Sequence, residues 1–243
     1  MSTIKDFTEF GLEGVCFRLP KNPNAYGGWT GMAYDQNRQP ILVASPCDLS
    51  LPFAPDKGGL TAYEELEVID DPQSQGTVID MNTPFFNFIR EFCKLCRASF
   101  EDTRRHFRSA GDPKWGEENM EMFEIAQHKM TPHGDMRTYK SNKYSFKAFQ
   151  KTAVENGKAV TRYEIDVKDS FNCNTELKPG TGQRGQMLLH LHSWYYDSKL
   201  KKLSVRVYVK AVSLSEQTNT KQDIRSFFES KEHPWLPTKG DKQ

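Results

Sequence analysis

The sequence has few cysteines and no long apolar segment, and these two absences limit its class. Its five cysteines, Cys16, Cys47, Cys93, Cys96 and Cys173, form an odd and sparse set among 243 residues. Such a set is typical of a chain in a reducing compartment and not of a disulfide scaffold. No apolar run approaches the ~18 residues that a membrane-spanning helix needs, and the first residues lack the apolar stretch of a signal peptide. We therefore expect an intracellular chain that does not enter a membrane.

The sequence also lacks the motifs of the common catalytic centres. It contains no Gly-rich phosphate-binding loop and no Gly-x-Ser-x-Gly nucleophile motif. Cys93 and Cys96 have the spacing of zinc ligands, but they lie within a predicted helix and no second close pair exists. A metal-dependent nuclease built on Asp70–Asp71, Glu164 and Asp166–Lys168 is an alternative, because such enzymes need converging carboxylates and a lysine. The sequence favours a protein without catalytic activity, metal or cofactor.

Positive and negative charges nearly balance over the whole chain, but they are unevenly distributed. The chain has 33 Lys and Arg against 32 Asp and Glu, a net charge of +1. Residues 1–82 have 5 basic and 12 acidic side chains (−7), residues 83–135 have 8 and 9 (−1), and residues 136–243 have 20 and 11 (+9). A basic segment of this kind indicates contact with a polyanion such as nucleic acid. The alternative is that the acidic and basic segments pack together and neutralise each other.

Short apolar runs separated by proline and glycine predict a mainly β protein. Trp29–Tyr34 and Ile41–Ala44 are predicted strands joined by a hairpin connection, and the acidic stretch Glu64–Asp71 is a predicted loop or short helix. Thr83 and Pro84 suit the N-cap and first residue of a helix. Phenylalanines at helical spacing then predict one long amphipathic helix near residues 84–110. Strands and helices do not alternate regularly, which excludes a doubly wound fold.

Two hairpins follow the helix. Tyr139–Lys151 and Val160–Val167 are connected through an Asn-Gly turn, the strongest short hairpin signal. Met187–Tyr196 and Leu200–Leu214 are connected through a short polar turn. We therefore predict one β-barrel domain over residues 1–214 with the helix as an insertion, followed by a short helix and flexible tail over residues 215–243. An α+β arrangement is the alternative fold class.

Strict alternation along the second hairpin predicts one apolar face and one basic, aromatic face. Leu189 and Leu191 share the predicted core face with Tyr195, and the opposite face collects basic and aromatic side chains from both hairpins. Positive side chains attract phosphates, and exposed rings stack on unpaired bases for roughly 1–3 kcal/mol per base. A duplex hides its base faces, so this surface predicts a site for single strands. The predicted binding residues are Lys143, Lys147, Phe149, Lys151, Arg162, His192, Trp194, Tyr196, Arg206, Tyr208 and Lys210.

Other interpretations of this face stay open. The long helix could cover Trp194 and Tyr196, because aromatic residues are common in half-buried strands. His190 and His192 share a strand face as a metal-binding pair would, although no carboxylate lies near them in the sequence. The face could also be the protein interface of a coat or assembly protein, since aromatic residues and arginine are enriched in such interfaces.

The order of elements resembles that of the OB-fold single-stranded-DNA-binding proteins of large DNA viruses and phages. The resemblance rests on residues 29–43, on the helix from Pro84 and on the closing hairpin over residues 188–210. It implies a five-stranded, partly open barrel with insertions that coats single strands without catalysis, in replication, recombination or repair. Binding of RNA instead of DNA stays open. It also implies the cytoplasm or nucleus of a host cell, with homo-oligomer formation left open. Pro237–Gln243 is not acidic, so recruitment of partners through an acidic tail is not expected.

Overall fold

The structure, a computed structural model, describes residues 4–19, 24, 28–56, 59–66, 83–104, 123–130, 137–155, 158–169, 171–178 and 183–215. It is mainly β with one helix in the described residues, which confirms the predicted fold class. The short helix and tail predicted beyond residue 215 lie outside the described residues, as do residues 105–110 of the predicted long helix. The limits of the predicted domain stay a prediction.

Thirteen described strands, one α-helix, α1 (Pro84–Arg104), and one turn of 3-10 helix (Leu12–Gly14) make up the regular structure. Eleven of the strands belong to one sheet and the other two pair as a separate hairpin. In chain order the strands are β1 (Lys5–Asp6), β2 (Cys16–Arg18), β3 (Trp29–Tyr34), β4 (Ile41–Ala44), β5 (Leu49–Leu51), β6 (Leu60–Leu66), β7 (Phe123–Met130), β8 (Arg137–Ala148), β9 (Gln150–Glu155), β10 (Lys158–Tyr163), β11 (Asp166–Lys168), β12 (Gln183–Asp197) and β13 (Lys202–Ser215).

Five of these strands close into a barrel. β5, β6 and β8 pair in succession, each antiparallel to the one before, and β12 and β13 form the long antiparallel hairpin that the sequence predicts. β12 also pairs antiparallel with β5. β13 closes the ring by pairing in parallel with β8, through Tyr208 opposite Lys147 and Val209 opposite Ala148. The result is a closed five-strand mixed barrel, which is consistent with an OB-like fold.

One edge of β12 holds three short strands in succession, which are β3, β4 and β5. The prediction that β3 and β4 form a hairpin is therefore wrong, because the two strands lie end to end along β12. Between them the chain forms a tight turn that Asp35 stabilises. Its Oδ1 atom accepts hydrogen bonds from the amides of Asn37 at 2.9 Å and Gln39 at 2.7 Å. The turn residues correctly marked the break between the two strands, but β3 and β4 run in the same direction, and the turn does not determine which strand is the partner.

The helix α1 begins as predicted and packs its apolar side into the core. Thr83 Oγ1 accepts the amide of Phe86 at 3.1 Å, as an N-cap does, and Pro84 is the first helical residue. Burial raises the pKa of the Cys96 thiol, so this cysteine is a neutral core residue. Among the described residues no helix is long and apolar enough to cross a membrane. The buried apolar side of α1 consists of Phe85, Phe86, Phe88, Ile89, Phe92, Cys93, Cys96 and Phe100.

A carboxylate connects the start of α1 to the barrel. The prediction of a loop or short helix at Glu64 is wrong, since β6 extends to Leu66. Glu64 Oε2 accepts hydrogen bonds from Thr83 Oγ1 and from the Tyr144 hydroxyl, both at 2.6 Å, and from Asn142 Nδ2 at 3.3 Å. Burial, with the adjacent Glu64 carboxylate, raises the pKa of Tyr144 and keeps its hydroxyl protonated as a donor. The N-cap residue and the barrel wall thus share one acceptor.

The strands β9 and β10 form a separate hairpin that we call the arm, residues 150–163. They pair over six register positions, from Gln150 opposite Tyr163 to Glu155 opposite Lys158. The predicted strand Tyr139–Lys151 is therefore divided, because β8 belongs to the barrel and β9 to the arm. Phe149 lies at the junction, where its carbonyl oxygen accepts the amide of Glu164 at 2.8 Å. The arm is thus anchored directly beside the seam between β8 and β13.

Candidate nucleic-acid interface

Two β-bulges interrupt the alternation of side chains in the β12–β13 hairpin. The register shifts at Lys210, which is an extra residue in β13, and at His192, which is an extra residue in β12. Because side chains alternate with a period of two, one extra residue moves the following residues of that strand to the other face. The residues of β12 beyond His192 therefore face the side opposite to that given by strict alternation.

The prediction that Trp194 and Tyr196 lie on the outer face is wrong. Both side chains are 0% exposed. Trp194 Nε1 donates a hydrogen bond to Ser99 Oγ of α1 at 3.1 Å, and the centroid of the Phe100 ring lies 5.3 Å from that of Trp194 and 4.8 Å from that of Tyr196. The helix covers both rings, so neither can stack on a base. Tyr195, which strict alternation assigns to the core, lies on the outer face instead.

The outer face has a cluster of five side chains around the two bulges, which we call the ring cluster. Phe149 and Tyr208 stack with their centroids 4.0 Å apart and their planes at 13°. The His192 ring meets Tyr208 at 4.8 Å and His190 at 5.0 Å, both edge to face. The Nζ atom of Lys210 lies 3.8 Å from the centroid of Phe149. Both bulge residues, His192 and Lys210, are thus directed into one group of rings.

Burial makes the histidines of the ring cluster neutral. Burial, with smaller effects of His192 and Lys210, lowers the pKa of His190 to about 3. Burial, with Arg206 and Lys210, lowers the pKa of His192 to about 4. His190 stands opposite the buried Leu42, and its Nδ1 atom is buried without a hydrogen-bond partner among the described residues. The positive charge of the cluster therefore belongs to Lys210, whose own pKa is lowered by burial and raised by Glu164.

Further cations and rings surround the ring cluster. Lys147 is exposed and stands opposite Tyr208, and Lys143 lies on the same face of β8, opposite Tyr63 of β6. The guanidinium carbon of Arg206 lies 4.0 Å from the centroid of the Tyr195 ring. Sequence reasoning identified these three cations and placed His190 on the outer face, but it missed Tyr63 and Tyr195. For Tyr195, the signal was the loss of alternation in the run Ser193–Tyr196, where three aromatic residues are adjacent.

Lys151 and Arg162 lie on the arm and not on the barrel. They stand directly opposite each other in the β9–β10 register, and both are exposed. They share a face of the arm with Phe149 at its root. The structure therefore places the predicted cations on the outer side of β8 and β13, beside the ring cluster, and on the arm that begins at Phe149. Trp194 and Tyr196 are the two predicted residues that it removes from that side.

The alternative metal centres are not assembled in the part of the chain that the structure describes. Within that part, no three His, Cys, Asp or Glu side chains are placed to hold a metal ion. Asp70–Asp71 of the nuclease hypothesis lie outside the described residues. Lys168, the lysine of that hypothesis, is buried and its ammonium group donates to Asn174 Oδ1. Cys93 and Cys96 are buried in the core and not arranged as a zinc site.

The sequence matches no model of a known protein family, and no curated protein is significantly similar to it. The function is therefore inferred from the chemistry of the outer face.

Proposed function

We propose that this protein binds single-stranded nucleic acid, DNA in the first instance, across the outer face of an OB-like barrel, without strong sequence preference and without catalysis. The observation that supports this most is the stack of Lys210 on Phe149 and of Phe149 on Tyr208, with Lys147 exposed on the adjacent strand. Proteins that bind single strands combine a cationic path for phosphates with rings for bases. The ring cluster and its surrounding cations supply both.

A base can enter the ring cluster by replacing Lys210 on the face of Phe149. The contact between an ammonium group and a ring contributes about 0.5–1 kcal/mol at an exposed site and about 2 kcal/mol when desolvated. Stacking of a base contributes about 1–3 kcal/mol. The exchange therefore ranges from about 1 kcal/mol unfavourable to about 2.5 kcal/mol favourable. The displaced ammonium becomes a partner for the neighbouring phosphate. That contact would also raise the lowered pKa of Lys210, because a negative charge favours the protonated form.

The position of the rings favours single strands over duplexes. Phe149, Tyr208 and His192 are half-buried between neighbouring side chains, so they can meet an unpaired base but not one enclosed in a stacked duplex. Every base offers a flat face, which is why stacking tolerates any sequence. Coating of single-stranded DNA in replication, recombination or repair, as the resemblance implies, is the corresponding biological role. RNA binding is the alternative that is compared with DNA binding.

Binding of a labelled oligonucleotide tests the proposal. Fluorescence anisotropy of an unstructured, fluorescein-labelled oligothymidylate is a suitable readout. The intrinsic fluorescence of Trp29 and Trp194 is a poor one, since both side chains are buried. We expect Phe149→Ala to weaken binding by about 1–3 kcal/mol with little change in salt dependence. We expect Lys210→Gln to reduce the slope of log K against log salt by about 0.7, the value for one phosphate of a single strand.

Phe171→Ala is the matched control, because it removes an equally large ring that is 77% exposed outside the ring cluster. Thermal melting of each variant shows whether the fold is intact. Failure of the native chain to bind at low salt would refute the proposal. Equal effects of Phe149→Ala and Phe171→Ala would refute the assignment of the site. The affinities for a duplex of the same length and for an RNA of the same sequence complete the comparison. We expect the duplex to bind more weakly than the single strand, and the RNA affinity shows whether DNA is preferred.

The coat or assembly protein is the alternative, and it makes a different prediction. In that case the ring cluster would contact protein, since aromatic residues and arginine also enrich such interfaces. Size-exclusion chromatography with and without oligonucleotide separates the two functions. A stable oligomer that is unaffected by oligonucleotide and disrupted by Phe149→Ala would favour assembly, whereas a shift that depends on oligonucleotide supports binding.

A further inference from the structure

The arm stands apart from the barrel sheet. In the described residues its two strands pair with each other and with no strand of the barrel. Val154, near its tip, is 76% exposed, and Lys151, Lys158 and Arg162 are exposed as well. A two-stranded hairpin with both faces in solvent is marginally stable by itself. Packing against a partner would therefore stabilise the arm.

The two faces of the arm differ in chemistry. Residues opposite each other in the register share a face, so Phe149, Lys151 and Arg162 lie on one face and Val154 lies on the other. The first face continues from the ring cluster, because Phe149 belongs to both. Lys151 and Arg162 are directly opposite each other, and like charges in this position repel. An anion held between them would offset that repulsion.

Two acidic residues lie on either side of this cationic pair. Glu164, next to the root of the arm, raises the pKa of Lys210, and Glu155 stands opposite Lys158 at the tip. The pair lies between them, about 7 Å from Phe149, since it is two residues along a strand that rises ~3.3 Å per residue. A base stacked on Phe149 would therefore place its neighbouring phosphates within reach of the two long side chains. Charge complementarity therefore favours an anion at the Lys151–Arg162 pair, between the two acidic residues.

We infer that the arm holds the phosphate backbone of the single strand bound at the ring cluster, through Lys151 and Arg162. This inference rests on the proposed function and adds a second part to the site. The ring cluster supplies stacking on the barrel, while the arm supplies electrostatic contact beyond it. The binding path thus extends past the seam between β8 and β13 and along the charged face of the arm.

The double variant Lys151→Gln/Arg162→Gln tests the inference in the full chain. Two phosphate contacts on a single strand contribute about 1.4 to the slope of log K against log salt. We expect the double variant to reduce the slope by this amount when oligothymidylate binding is measured between 50 and 200 mM salt, a range over which such contacts matter. The matched control is Lys94→Gln/Arg97→Gln, which removes one lysine and one arginine from α1. We expect it to leave the slope unchanged.

Protection of Lys151 from chemical acetylation provides a second measurement. With oligothymidylate bound, an amine-reactive acetylating reagent should modify Lys151 several-fold more slowly, while Lys94 should react at its original rate. An unchanged slope in Lys151→Gln/Arg162→Gln, together with loss of affinity in Phe149→Ala, would overturn the role of the arm and leave the proposed function standing. Absence of binding by the native chain would overturn the proposed function and this inference together.

Discussion

Acidification tests the environment of the buried histidines in the ring cluster. In an unfolded chain both rings take up a proton near pH 6.5, but in the folded protein the pKa of His190 is about 3 and that of His192 about 4. At a pH between the folded-state pKa of each ring and 6.5, the unfolded chain binds more protons than the folded one. Lowering the pH below 6.5 therefore favours unfolding, and the loss levels off once the pH falls below the folded-state pKa values. Above pH 6.5 the contribution of the two rings to stability is complete.

The size of the effect follows from the two pKa shifts. One pKa unit corresponds to about 1.36 kcal/mol, so each ring by itself would reduce the free energy of unfolding by up to about 2.7 kcal/mol between pH 6.5 and 4.5. The centroids of the two histidine rings lie 5.0 Å apart, and His192 is partly open to solvent. The contributions of the two rings are therefore less than additive. We expect a combined loss of about 3–5 kcal/mol, a large share of the stability of an ordinary domain.

Urea denaturation at a series of pH values, on the native chain and on His190→Phe, measures this loss. The variant keeps an aromatic ring at the position but cannot take up a proton, and it retains every carboxylate of the native chain. We expect it to lose about 2 kcal/mol less than the native chain between pH 6.5 and 4.5. Parallel loss in the two proteins would refute the reasoning. So would a nuclear magnetic resonance titration of the His190 ring with a midpoint near 6.5.

Two further substitutions test how the core and the helix start are held. Trp194→Ala removes a fully buried indole and its hydrogen bond to Ser99, so we expect a loss of about 3–5 kcal/mol in chemical denaturation; a loss below about 1 kcal/mol would show that the ring is not in the core. Glu64→Ala leaves the hydroxyls of Thr83 and Tyr144 without their shared acceptor. We expect it to lower the free energy of unfolding by about 2–3 kcal/mol, and a melting temperature equal to that of the native chain would contradict this role.

Local signals in the sequence predicted local structure well. Thr83 and Pro84 identify the start of α1 because capping depends on neighbouring residues alone. The Asn-Gly sequence between β9 and β10 and the polar turn before β13 identify hairpins for the same reason. The sequence likewise indicated that Lys151 and Arg162 would share a face, since register follows from the turn. These features depend on few residues, all close in the chain.

Features that depend on distant partners were not predictable in the same way. The run of three aromatic residues at 194–196 signals a break in alternation, but it does not show that His192 and Lys210 are the extra residues. Each bulge reverses the faces of a strand segment, so Trp194 enters the core and Tyr195 leaves it. The end-to-end arrangement of β3 and β4 is set by β12, about 150 residues later. Alternation still placed Lys143 and Lys147 on the outer face, because β8 keeps a regular register through both positions.

The short parallel seam of the barrel has a consequence for folding. β8 and β13 meet at two register pairs, between residues that are about 60 positions apart in the chain. Closing so long a loop costs conformational entropy before the contact is made, whereas the β12–β13 hairpin and the arm form from neighbouring residues. We therefore expect the seam to form late, after the hairpins. Phe149 and Tyr208 stand on opposite sides of this seam, so their stack forms only when β8 and β13 pair, and a chain in which these two strands are unpaired would not display it.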